Sequence, residues 1–368
     1  MEPHLAGGAF GNPSSAHRLG REARAAVQEA RRKIAAALGA DPAQVYFVSG
    51  GTEGDNLAVI GAALAARAAG RPFRVAVATS EHKAVLGAAH AVEAMGGEAV
   101  MLPVDGSGQL DLEALGTALE RGVAVVSVMW VNNEVGVVQD MKAIAERCCA
   151  AATPFHTDAV QAVGKVPVSL AEVDCTMLTL SGHKLGAPKG IGAVVIRDRK
   201  AVHPLVHGGG QQGGIRPGTE NVAGIVALGR AVELAVEELD QFRAHAGGLR
   251  DQFERGLTQA IPEAEVTAGS APRAPHVSNV TVPGTDSEAM LMHLDLAGIC
   301  CSAGSACSTG SVEPSHVLTA LGVPFDRAIA ALRFSYWKST TKEEVDYVVE
   351  HLPPIIAKVR SLAGVLRR

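Results

Sequence analysis

Cys175-Thr-Met-Leu-Thr-Leu-Ser-Gly-His-Lys184, running on into Leu-Gly-Ala-Pro-Lys-Gly-Ile-Gly192, carries more structural information than any other part of this chain. The apolar run before Ser181 reads as a buried strand, and the small residues after it read as a tight turn. A lysine at the end of such a strand is poorly placed for a surface charge. It is well placed to be desolvated, and a desolvated lysine loses its proton more easily. A neutral amine can form a Schiff base with an aldehyde cofactor such as pyridoxal phosphate. Ser181 and His183 beside Lys184 are able to donate hydrogen bonds to a phosphate. The alternative is a lysine that only caps a strand end, and the surrounding chain decides between the two.

Outward from this stretch, strands and helices alternate. Strand-like runs at Val45–Val48, 75–79, Glu98–Leu102, 123–129, Phe155–Asp158, 174–180 and Gly192–Ile196 are separated by helical patterns. The first helix is expected to be capped by Ser14 or Ser15 and to end at Leu38, before Gly39 and Pro42. Thr52 is expected to cap a second helix, to about residue 69; others are expected at 83–95, 111–121 and 140–151. Continuous apolar strands joined by helices imply an α/β fold with a mainly parallel sheet covered on both faces. One long helix is expected from 220 to about 260. Beyond it, strands near 277–282 and 331–335 and helices near 286–296, 314–321 and 341–363 imply a smaller α+β domain. The expected division is a large domain at 11–240 and a small one made of 1–10 and 241–368.

Composition narrows the function classes. A chain of 368 residues exceeds the usual ceiling for one core. A net charge of −5 with interspersed signs offers no nucleic-acid or membrane footprint. No apolar run reaches the roughly 20 residues of a membrane span, and Met1-Glu-Pro-His-Leu-Ala lacks the regions of a signal peptide. The six cysteines show no zinc-like or disulfide-framework spacing, so no metal is expected and the setting reads as reducing and cytoplasmic.

In open α/β sheets ligands collect beyond the C-terminal ends of the strands, and polar residues cluster there. Ser49-Gly-Gly-Thr-Glu-Gly-Asp-Asn56 joins a strand to a helix, where Gly51, Thr52 and free backbone N–H groups suit a phosphate or an ordinary helix cap. His82 follows the strand at 75–79, where an imidazole can lie flat on a cofactor ring or be an unremarkable exposed histidine. Asn133, after the strand at 123–129, suits a ring oxygen, a substrate or turn chemistry. Asp158 is placed either to pair with a protonated pyridine nitrogen or to cap a helix, and Gln161 three residues on is placed for a phenolic oxygen.

Gly208-Gly-Gly-Gln-Gln-Gly213 fits G-x-G-x-x-G but has no clean strand before it, and Arg216-Pro-Gly breaks the helix that should follow. It reads instead as a loop that places Thr219 near a phosphate. Ser302-Ala-Gly-Ser-Ala-Cys307-Ser-Thr-Gly-Ser311 reads as a loop exposing one thiol, whereas Cys300 and Cys301 read as the structural end of an apolar strand. Arg333 follows a short apolar strand, where its fork suits a substrate carboxylate or a surface ion pair.

Taken in order, these motifs resemble the cysteine desulfurases of the NifS/IscS type, class V enzymes of pyridoxal phosphate fold type I. The likeness rests on Phe10-Gly-Asn-Pro-Ser-Ser-Ala-His17, Ser49-Gly-Gly-Thr-Glu53, Glu81-His-Lys83, Val131-Asn-Asn-Glu134, Asp158-Ala-Val-Gln161, Ser181-Gly-His-Lys184, Arg216-Pro-Gly-Thr219, Ser305-Ala-Cys307 and Arg333-Phe-Ser335. It implies Lys184 as the Schiff-base lysine, His82 stacked on the ring, Asp158 at the pyridine nitrogen and Gln161 at the phenolic oxygen. It implies phosphate binding by Thr52, Ser181, His183 and Thr219 of a second subunit of a homodimer, and substrate binding by Asn133, Arg333 and Asn12. Cys307 is implied to take sulfur from L-cysteine, leaving L-alanine and a persulfide for an acceptor such as an iron–sulfur scaffold or a tRNA-thiolation carrier. The family usually has an N-terminal strand and an Ala-Thr-Thr-Pro segment ahead of the point matching Met1, so a looser small domain is expected here. Selenocysteine lyase, and a silent cofactor-binding scaffold, are the alternatives.

Overall fold

The structure is a computed structural model that describes residues 1–5, 10–303 and 313–366. The chain falls into two compact units. The first comprises Met1–Leu102, Asp111–Trp130 and Asp140–Leu239; the second comprises Pro103–Leu110, Val131–Gln139 and Asp240–Arg368. Two short segments expected in the large domain, 103–110 and 131–139, thus belong to the second unit, and residues 1–5 group with the first.

The first unit contains β1 (Val45–Val48), β2 (Arg74–Ala78), β3 (Glu98–Leu102), β4 (Val125–Ser127), β5 (Phe155–Asp158), β6 (Met177–Ser181) and β7 (Gly192–Ile196). Its helices are α1 (Arg18–Leu38), α2 (Gly51–Ala68), α3 (Lys83–Ala94), α4 (Leu112–Glu120), α5 (Met141–Ala150) and α6 (Val222–Glu237). The seven strands form one sheet in the order β1-β7-β6-β5-β4-β2-β3. Pairs from β3 through β6 are parallel, while β7 is antiparallel to both β6 and β1. Two reversals leave β1 running the same way as β6. The chain therefore leaves β1, β2, β4, β5 and β6 at the same edge, which is where an open α/β sheet collects its ligands. Every residue of β1, β5, β6 and β7 is buried, as a sheet covered on both faces requires.

Helix α2 lies close on this sheet because Gly54 has no side chain. A Cβ there would stand 2.6 Å from Thr179 Cγ2 and 2.8 Å from Val194 Cγ2, closer than real carbons approach. Gly192 serves the same approach from the strand side, since its Cβ would lie 2.8 Å from Gly50 Cα. Gly50 is the N-cap of α2 and offers no side-chain cap, so Thr52 sits inside the first turn rather than at the cap position expected for it. Helix α1 also starts later than expected. Asn12 takes the Ser14 N–H on its Oδ1 (2.9 Å) and the Ser15 N–H on its carbonyl (2.9 Å). This turn delays the helix until His17, whose Nδ1 accepts from Gly20 N. The end is as expected, with Gly39 in the left-handed conformation at φ 70°.

The second unit holds most of α7 (Leu239–Ala260), then β8 (Glu265–Val266), β9 (Val277–Thr281), α8 (Ser287–Leu296), β10 (Ser302–Ala303), α9 (His316–Ala320), α10 (Phe325–Ala328), β11 (Ala331–Ser335) and α11 (Lys342–Leu366). The single long helix expected from 220 to 260 is two, α6 and α7, separated at Glu238, with Asp240 in the first turn of the second. The strands form an antiparallel sheet in the order β10-β11-β9-β8. Phe253 of α7 packs on Phe334 of β11 with ring centroids 4.6 Å apart, inside a core that also takes Leu249, Val280, Leu332 and Leu352. A second cluster is built by Val104, Val135 and Val137 with Val317, Leu318 and Leu321. Strands β8 and β10 were not expected, because two residues are too few to show an alternating pattern.

Candidate active site

Lys184 lies in a single helical turn, Gly182–Lys184, just past the end of β6, and is half-buried. The turn is fixed by backbone bonds from Gly182 N to Ile191 O and from Leu185 N to Gly182 O. Ser181 Oγ and His183 Nδ1 are 2.9 Å apart. Burial lowers the His183 pKa, and the ammonium groups of Lys184, Lys189 and Lys165 lower it further, so the ring is held neutral. Sequence reasoning missed Lys165, which is 3 % exposed and donates to the carbonyl of Lys184 at 3.1 Å. Burial first, and then Lys184, bring its amine down to about 7. Its signal was a charge inside the apolar run Val163-Gly-Lys165-Val.

Asp158 closes β5 and is 4 % exposed; one of its oxygens accepts from Val160 N at 2.8 Å. Burial pushes its carboxyl up to about 6, against the pull of the Val160 N–H and of Lys184. Two further acids are buried close by. Glu81 Oε1 accepts from Met129 N at 2.7 Å, and burial raises its carboxyl well above the usual range. Asp55, on α2, is raised well above its usual range by burial first and then by Asp158 and Glu81. Asp55 lies on the stripe with Ala58, Ala62 and Ala66 that faces the core, and an acid on such a stripe was the signal that sequence reasoning passed over.

His82 is exposed and caps α3, its Nδ1 accepting from Ala84 N at 3.1 Å. A nitrogen that accepts carries no proton, so the neutral ring has its proton on Nε2. One ring nitrogen of His82 and one oxygen each of Asp55 and Asp158 lie within 4.8 Å of one another. Gln161 is half-buried in the turn after β5.

At the start of α2, Glu53 accepts from Ser49 N (2.8 Å) and from Arg216 Nε (2.8 Å). Burial pushes the Glu53 carboxyl up, but the hydrogen bonds from Arg216 and Ser49 outweigh it and hold it below the usual range. The Arg216 bond ties Arg216-Pro-Gly-Thr219 to the helix start. Thr219 itself is exposed and has no hydrogen bond to Thr52, Ser181 or His183 among the described residues. The G-x-G-x-x-G segment is not a phosphate loop before a helix. Gln212 turns inward from it in a left-handed conformation, φ 48°, and accepts from Phe47 N and Arg31.

These residues fit pyridoxal phosphate. Asp158 lies in a buried space shared with the carboxyls of Asp55 and Glu81, and its carboxylate there suits a cationic ring nitrogen. The side-chain-free start of α2, Thr52 and the Ser181–His183 pair supply donors for a phosphate at the same sheet edge. Lys184 supplies the amine.

In the second unit, Asn132 does the turn chemistry, its Oδ1 accepting from Glu134 N and Val135 N. Asn133 is left with a buried Oδ1 that has no partner. Its carbonyl accepts from Arg333 at 2.9 Å, while Arg333 Nε is buried and unbonded. An acceptor and a guanidinium edge are thus held side by side without a protein partner. Asn12, in the first unit, is exposed and committed to its turn. Cys307 lies outside the described residues. Among the described cysteines, burial drives the thiols of Cys148, Cys175 and Cys301 up to about 12, which keeps them protonated and poor nucleophiles. Cys300, expected to be a structural strand end, is exposed; it and Cys301 precede β10 rather than end a strand.

A family model described as aminotransferase class-V matches residues 5–348. The cysteine desulfurase IscS of Dictyoglomus turgidum is 42 % identical over 354 residues, covering 96 % of this chain and 89 % of that protein. The cysteine desulfurase NifS of Azotobacter vinelandii is 42 % identical over 357 residues, covering 96 % and 88 %. Among solved structures, a NifS-like protein superposes with a TM-score of 0.88 at 34 % identity, covering 95 % of this chain and 92 % of that one. SspA, solved in complex with cysteine, gives 0.79 at 32 % identity, covering 91 % and 92 %. On fold, on site chemistry and on likeness along nearly its whole length, the chain belongs to the aminotransferase class-V family of pyridoxal phosphate enzymes, and within it to the cysteine desulfurases.

Proposed function

We propose that this protein takes the sulfur of L-cysteine onto the thiol of Cys307, releasing L-alanine and leaving a persulfide. The step balances: the Cβ–S bond of the substrate breaks, a sulfur–sulfur bond forms on Cys307, and the protons of the two thiols end on the alanine methyl and the persulfide. When bound, pyridoxal phosphate supplies an electron sink conjugated to the substrate's amino group. Lys184 holds its aldehyde, Asp158 meets its ring nitrogen and Gln161 its phenolic oxygen. Gly51, Thr52, Ser181 and His183 bind the phosphate, with Thr219 supplied by a second copy of the chain; its exposure supports that reading. His82 would lie against the ring, where its Nε2–H could give a proton. Lys184 Nζ takes and returns the substrate proton. Arg333 and Asn133 hold the substrate carboxylate and its neighbouring polar group, with Asn12 as a helper.

The observation that supports this reading most directly is the half-buried Lys184 at the sheet edge that also carries the buried carboxyl of Asp158, on which Lys184 acts electrostatically. The working unit is a homodimer in a reducing compartment, the cytoplasm, where thiols persist. The persulfide passes to an acceptor protein such as an iron–sulfur scaffold or a tRNA-thiolation carrier. Release of alanine and sulfide from cysteine is the test. Cys307→Ser should keep its cofactor and lose at least about 100-fold in turnover, since the sulfur leaves the substrate through that thiol. Brief exposure of wild type to cysteine should add one sulfur to the Cys307 peptide by mass spectrometry. Normal turnover by Cys307→Ser, or added sulfur only on another cysteine, would sink the proposal.

A further inference from the structure

Asp55 has no role in the chemistry above, yet it is 1 % exposed and lies on the face of α2 that packs on β5 and β6. Thr179 of β6 hydrogen-bonds its carboxyl. Its Oδ1 stands 3.7 Å from His156 Nε2 and has no hydrogen bond. One of its oxygens lies within 4.8 Å of an oxygen of Asp158. The titratable groups that face it are Asp158 and His156 from β5, and Glu81 and His82 from the segment between β2 and α3. His156 is not a counter-ion. It is fully buried between Ser127 Oγ (2.8 Å) and Thr179 Oγ1 (2.9 Å), and burial lowers its pKa to about 3.

We propose that Asp55 stands as a neutral carboxylic acid, so that the buried pair Asp55–Asp158 carries one negative charge, on Asp158. This rests on the cofactor reading of the site. Two carboxylates this close in a dry interior cannot both ionise at low cost. A protonated ring nitrogen needs one anion; a second would leave a buried charge without a partner. A neutral acid also explains the bare Oδ1, since an uncharged oxygen is far cheaper to leave unbonded than a carboxylate. Thr179 accommodates it, because a hydroxyl both donates and accepts and so serves either protonation state of Asp55.

Two substitutions and two measurements test this. In reconstitution of cofactor-free protein, Asp158→Asn should weaken pyridoxal phosphate binding at least about tenfold through loss of a charge-assisted bond. Asp55→Asn, an uncharged mimic of the neutral acid, should change it less than about threefold. The second measurement is the melting temperature of cofactor-free protein against pH. A carboxyl whose folded pKa is raised contributes stability that is full below its unfolded value and is lost as pH rises toward the folded one. Asp55→Asn removes that loss, so the variant should melt above wild type at pH 8 and not at pH 4. If Asp55→Asn weakens the cofactor as much as Asp158→Asn, or melts below wild type at pH 8, Asp55 is a charged partner and the proposal falls. If neither substitution affects binding, the cofactor reading falls with it. Should Asp55→Asn fail to fold, carboxyl infrared spectra of the wild type decide: fewer than two protonated carboxyls at pH 7, from Asp55 and Glu81, would overturn the proposal, and two or more would support it.

Discussion

A single hydrogen atom at position 54 sets how closely α2 approaches β6 and β7, and so how deep Asp55 reaches. Gly54→Ala should destabilise the protein. Two carbon contacts under 3 Å, both on β-branched side chains, place it at the upper end of the about 1–3 kcal/mol typical of overpacking. That exceeds the about 1 kcal/mol that alanine gains over glycine in a helix. Denaturant melts of the variant check this, and a rise in stability would show that the packing around position 54 gives way more easily than these distances require. The sequence made the lysine, the strand-end aspartate and the small residues legible because each sits at a strand end with a distinctive neighbour. Asp55 and Lys165 were not legible. Both are charges that face inward from otherwise apolar surroundings, and the chain shows spacing but not the direction in which a side chain is solvated.

Element by element, strands were easier to place than helix starts. The runs at β1, β3, β5 and β7 matched to the residue, and in β1 and β7 a continuous apolar stretch has sharp edges. Helix starts depend on which residue takes the cap, and here His17 and Gly50 took the positions expected of the serines and Thr52. The loop 208–219 is an element of another kind, held to α2 by one ion pair. Arg216→Ala should lower the melting temperature by no more than about 3 °C, since half-exposed ion pairs contribute at most about 1 kcal/mol. Its larger effect should be on cofactor retention during dialysis, through the release of Thr219. Glu53 is held below the usual carboxylate range, so the stability it contributes is present above its unfolded pKa and is lost as pH falls through the folded one. The difference between variant and wild type should therefore shrink below about pH 4. An equal difference at pH 3 and pH 7 would remove the ion pair as its cause.

On the scale of the whole molecule, the chain passes between its units at 102/103, 110/111, 130/131, 139/140 and 239/240. No contiguous stretch contains the second unit. A fragment of residues 240–368 would lack Val104, Val135 and Val137, which cover Val317, Leu318 and Leu321. It should bind a hydrophobic dye and aggregate; a monomer with a cooperative melt would contradict this. The same threading gives the protein a history on the ribosome. Segments 103–110 and 131–139 emerge before Asp140–Leu239, a hundred residues that must be made before the rest of their unit begins. At about 5–20 residues per second, the 180 residues from Val137 to Val317 leave three valines without their partners for ~9–36 s. The nascent chain is thus most exposed to misassociation from midway through translation, and slowing elongation between codons 140 and 317 should cost more soluble protein than slowing it anywhere after.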